Sequence, residues 1–62
     1  MSLEQKAKQQ LISILFHIDY LETSAKELRT KGGSDLAEEL DRQAYYWDVQ
    51  AQALEELLGY YL

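Results

Sequence analysis

A seven-residue apolar repeat that runs into a Gly-Gly pair and returns in mirror image constrains this chain more than any other feature. The inbound stripe is Ala7, Leu11, Ile14, Ile18, Leu21, Ala25 and Leu28, at alternating steps of four and three residues. The outbound stripe is Ala37, Leu40, Ala44, Trp47, Ala51, Leu54, Leu58 and Tyr61, with the same alternation. That period belongs to an α-helix burying one seam. Folding the chain at Gly32-Gly33 sets Leu28 against Ala37, Ala25 against Leu40, Leu21 against Ala44, Ile18 against Trp47, Ile14 against Ala51 and Ala7 against Leu58. A large side chain faces a small one in nearly every layer, which fills a seam between closely spaced helices without voids. The expected fold is all-α: an antiparallel, coiled-coil-like two-helix hairpin with alternating large and small layers.

Local signals set the boundaries. Ser2 and Gln5 have the spacing of a capping box, so the first helix is expected over about residues 3–31. Gly32 can take the left-handed conformation that ends a helix, and Gly33 frees the chain to reverse. The turn covers 32–34. Ser34 or Asp35 then caps a second helix over about 35–60, with Asp35 and Glu38 again at capping-box spacing. Gly59 is a possible stop, although the repeat continues to Tyr61. Glu22–Lys26, Glu27–Lys31 and Glu38–Arg42 are i,i+4 pairs that mark solvated faces. The 62 residues make a single helical-hairpin domain, 1–62, with proline absent throughout.

One seam is a thin core for a domain this small. With no cysteine in the chain, neither a disulfide nor a thiolate metal site adds to it. The flanks of the seam suggest what does. One carries Gln10, His17, Ser24, Leu36, Gln43, Gln50 and Leu57, extended by Tyr46, Ala53 and Tyr60, and is nearly free of charge. The other is a charged rim that includes Asp41, Asp48 and Glu55. An uncharged flank with Tyr and Leu beside a formed seam is what a second hairpin covers. The expectation is therefore a homodimer, a four-helix bundle in which Leu36, Tyr46, Gln50, Ala53, Leu57 and Tyr60 make the self-association surface, the alternative being a groove for another protein's helix. Ile12, Phe16, Tyr20, Tyr45 and Val49 are left over by the seam and are the expected contacts for another protein. Within the first helix, LISILFHI (11–18) is apolar almost all round, a pattern normally found buried. Three successive aromatics, Tyr45-Tyr46-Trp47, cannot all face one core.

The net charge is −5, unevenly divided: residues 1–31 carry about +1 and residues 34–62 carry −6. An acidic second half argues against nucleic acid as the main partner and suits a basic protein surface, with Asp41, Asp48 and Glu55 steering it. Leu11 to Leu21 is too short and too polar to span a bilayer, and no signal peptide is recognisable, so a cytoplasmic location without a membrane is expected.

No constellation for catalysis, cofactor or metal stands out. His17 is the single histidine and has no second ligand three or four residues away; its expected acid across the seam is Asp48. Gly32-Gly33 follows no strand and is a turn, not a phosphate loop. The chain is read as non-enzymatic: a small acidic adaptor, co-chaperone or inhibitor that self-associates and presents helix faces to a larger partner. In layout it resembles the dimeric helical-hairpin regulators of plasmid primer RNA, with their Ala-rich and Leu-rich core layers, which implies an RNA-binding regulator working from Lys6, Lys8, Lys26 or Arg29 as an alternative. A further alternative is an acidic inhibitor that mimics nucleic acid.

Overall fold

The computed structural model describes the backbone of residues 2–61 and the side chains of residues 2–59. Two helices, α1 (Leu3–Thr30) and α2 (Ser34–Tyr61), pack against each other as an antiparallel hairpin. Each has 28 residues, which at 1.5 Å per residue is about 42 Å. The molecule is correspondingly a rod, 45 × 18 × 11 Å.

The start of α1 is fixed by the expected capping box. The Gln5 N–H donates to Ser2 Oγ (3.1 Å), and the Ser2 N–H donates to Gln5 Oε1 (3.3 Å). Two of the amide groups at this helix end are thereby satisfied. Its other end is a Schellman turn. The Gly33 N–H donates to the Leu28 carbonyl (2.7 Å) and the Gly32 N–H to the Arg29 carbonyl (3.3 Å). Gly32 has φ +83°, a conformation that costs a residue with a Cβ roughly 1–2 kcal/mol. Gly33 lies so close that an added Cβ would meet Leu28 Cδ2 at 3.2 Å. Gly32 is therefore there for its dihedral, while a side chain at Gly33 would require Leu28 to shift by a few tenths of an ångström.

The start of α2 departs from expectation. Its first helical residue is Ser34, so Gly33 occupies the cap position, and the Gly33 carbonyl accepts from the Ala37 N–H (3.0 Å). The turn is completed by Gly33 and leaves no residue to place Ser34 or Asp35 outside the helix as a side-chain cap. At the far end, the helix continues through Gly59 to Tyr61.

Every described seam position is buried or half-buried, and all eight buried residues are seam residues: Ile14, Ile18, Leu21, Ala25, Ala37, Ala44, Ala51 and Leu58. Ile14, Ile18 and Leu21 of α1 form one cluster with Ala44 and Ala51 of α2, against which Leu11, Leu40, Trp47 and Leu54 pack. The alanines let the helices approach, and the branched and aromatic side chains fill the gaps between them. Tyr61 of the repeat lies outside the described side chains.

Surface ion pairs differ from the expected set. Lys8 pairs with Glu4 (3.3 Å), Arg42 with Glu39 (3.4 Å) and Arg29 with Asp41 across the seam. Arg42 thus takes the acid one turn back at i−3 in place of Glu38 at i−4; both spacings are neighbours on a helix surface.

Candidate interaction surfaces

Two contacts establish which flank is which. The Arg29–Asp41 pair closes across the charged rim. On the other flank, the His17 ring meets Trp47 edge-on, with centroids 5.5 Å apart and planes at 87°, and Tyr46 meets the same indole at 5.9 Å and 85°. His17 therefore packs on an aromatic ring and not on the expected Asp48, because the seam lies between them: His17 belongs to the uncharged flank and Asp48 to the rim. Trp47 is half-buried and works as the platform for both neighbours.

The uncharged flank is open to solvent. Leu36, Tyr46, Gln50, Ala53 and Leu57 are all exposed, Tyr46 at 59% and Leu57 at 54%. The Tyr60 side chain lies outside the described residues. Between residues 10 and 24 of α1, and between 43 and 57 of α2, this flank carries no Lys, Arg, Asp or Glu.

A second surface lies on the back of α1. Phe16 is 72% exposed and sits with Ile12, Leu15 and Asp19 around a shallow depression. Leu15 belongs with the five residues expected to meet a partner, and its place is readable from its spacing of three from Ile12 and four from Asp19. Tyr20 follows Phe16 by one helical turn and is also exposed. On α2, Tyr45 (72% exposed) and Val49 form a smaller outward patch. Asp19 lines the depression of the α1 patch, with Lys8 one helical turn before Ile12 and Glu22 three residues after Asp19.

The three steering acids are not equivalent. Asp41 is half-buried and paired with Arg29 across the seam. Asp48 accepts a hydrogen bond from Gln52 Nε2 (3.1 Å) and, like Glu55, stays exposed. Two of the five basic residues of the first half, Lys8 and Arg29, are likewise paired with acids.

A further feature is a cleft of about 600 Å³ at the open end of the hairpin, lined by Leu3, Ala7, Leu54, Leu57 and Leu58 with Ser2 and Glu4 at its edge. Sequence reasoning missed it. Its signal was Leu3, one turn before Ala7, in an end layer whose α1 member is only an alanine. Among the described residues, no three His, Asp or Glu side chains come together to hold a metal ion, and no helix is long and apolar enough to cross a membrane. Compared with protein-family models, characterised proteins and solved structures, the chain matches none.

Proposed function

We propose that this chain is a non-enzymatic, cytoplasmic protein-interaction module that self-associates and presents its remaining apolar helix faces to a larger protein, in the manner of an adaptor, co-chaperone or inhibitor. The observation that carries this reading is the distribution of large apolar side chains. Only four are buried (Ile14, Ile18, Leu21 and Leu58), the other four buried residues being alanines, while ten are exposed among the described residues. Burying a single large apolar side chain is worth about 1.5–3 kcal/mol. Five more (Leu11, Leu28, Leu40, Trp47 and Leu54) are half-buried along the seam, so the chain leaves about as many large apolar side chains exposed as it packs, and apolar surface of that extent is what a partner covers. The α1 patch is the contact for the larger partner. Its acid border favours a basic rim around an apolar anchor, since opposite charge steers encounter and apolar contact supplies affinity.

A photo-crosslinking amino acid at position 16 tests this, with position 9 as control. The expected product is a discrete protein adduct heavier than two copies of the chain, competed away by the purified chain and not by its Phe16→Glu variant. Equal labelling from both positions overturns the partner site. A nucleic-acid adduct that weakens steeply with salt would instead support RNA regulation.

A further inference from the structure

We infer that the uncharged flank, and no other face, is where a second copy of this chain docks, around a two-fold axis that passes close to His17 and Gln50. The inference rests on the self-association proposed above and adds the face, the symmetry and the residues at its centre. Three observations carry it.

The first is area. A compact monomer of 7.2 kDa exposes about 4,100 Å², whereas this chain exposes 5013 Å². The excess is about 900 Å², close to the ~800 Å² that each partner buries in a standard interface. The radius of gyration says the same: 14.3 Å against about 11 Å for a compact chain of this length.

The second is charge. A two-fold interface sets the residues beside its axis against their own copies, so an unpaired charge there meets its own kind. The back of α1 has Asp19 in the lining of its depression, so an axis through that patch would bring two carboxylates together. On the uncharged flank, no Lys, Arg, Asp or Glu falls between residues 10 and 24 of α1 or between 43 and 57 of α2. Lys31 and Glu39 appear only towards the turn.

The third is continuity with the core. The flank borders the layers directly: Tyr46 and His17 already rest on Trp47, the largest seam residue. A hairpin seated there extends the Trp47 layer into a four-helix core. Tyr46, Ala53 and Leu57, all exposed, supply the apolar contact. His17 and Gln50 stand near the middle of the flank lengthwise, where an axis brings each close to its own copy.

Sedimentation equilibrium on the unmodified chain and two double variants tests the assignment. Gln50→Lys with Ala53→Lys puts two like charges beside the axis and should weaken the dimer at least a hundredfold. Ile12→Lys with Phe16→Lys should change it less than threefold. The reverse pattern overturns the face while leaving self-association intact. A monomeric unmodified chain overturns both the face and the reading on which it rests. An independent check uses the absence of cysteine from the chain: alkylation of Gln50→Cys should slow as protein concentration rises, and alkylation of Phe16→Cys should not. Concentration-independent alkylation at both positions overturns the inference.

Discussion

Exchanging the large and small members of one core layer tests the mirrored packing at the level of single side chains. Ile14 and Ala51 are both buried in the same cluster, Ala51 at 1% exposure, and the register of the two stripes sets them at the same height. Ile14→Ala removes most of a buried side chain and should cost about 2–5 kcal/mol. Ala51→Leu drives three extra carbons into a filled layer and should cost about 1–3 kcal/mol. Were the sites independent, the double variant would lose the sum of the two. If they face each other, the double variant restores one large and one small residue to the layer, a volume-conserving swap that costs less than about 1.5 kcal/mol. The coupling energy is then at least about 1.5 kcal/mol. Either single change approaches the ~3–5 kcal/mol that a domain this small holds. Urea melts followed by circular dichroism should therefore be run at one fixed protein concentration in a constant background of TMAO. The expected result is that both single variants lose the cooperative transition early and the double variant regains it. Additivity to within about 0.5 kcal/mol would refute the layer assignment.

Two further changes probe the turn and the rim. Gly32→Ala meets no atom within 4 Å, so its cost is backbone strain alone, roughly 1–2 kcal/mol, visible as a lower melting temperature; a neutral result would mean that the Schellman turn is not kept in solution. Arg29→Ala removes the pair with Asp41, whose side chains are each nearly half exposed, and should cost no more than about 1 kcal/mol, shrinking further in high salt. A loss above 2 kcal/mol in the same melts would place that pair among the main supports of the hairpin.

The seam was readable because a 3/4 alternation interrupted by two glycines admits few folds, and each alanine in one stripe meets a larger residue in the other. The capping box at Ser2 was equally plain, since both partners lie within one turn. Features decided by a single residue of turn geometry were not readable. Whether Gly33, Ser34 or Asp35 precedes α2 depends on where the Schellman bonds close, and spacing alone does not specify that. The cross-seam pairing of Arg29 with Asp41 displaced expectations drawn from i,i+4 neighbours, because those neglect the opposite helix. His17 was assigned to Asp48 by distance along the helices without regard to which side of the seam each occupies. The interaction surfaces could be listed from the sequence as what the seam does not use. Their solvent exposure, as at Phe16, Tyr45 and Tyr46, took the structure to establish.

The account turns on the claim that one hairpin is half of a core. Absolute mass by light scattering on a sizing column, over a hundredfold range of loading concentration, tests it most directly. The account predicts twice the chain mass of 7.2 kDa at the upper end of the range, with any fall towards one chain mass on dilution accompanied by loss of helicity. A single chain mass at every concentration, with full helicity and a cooperative melt, would contradict it.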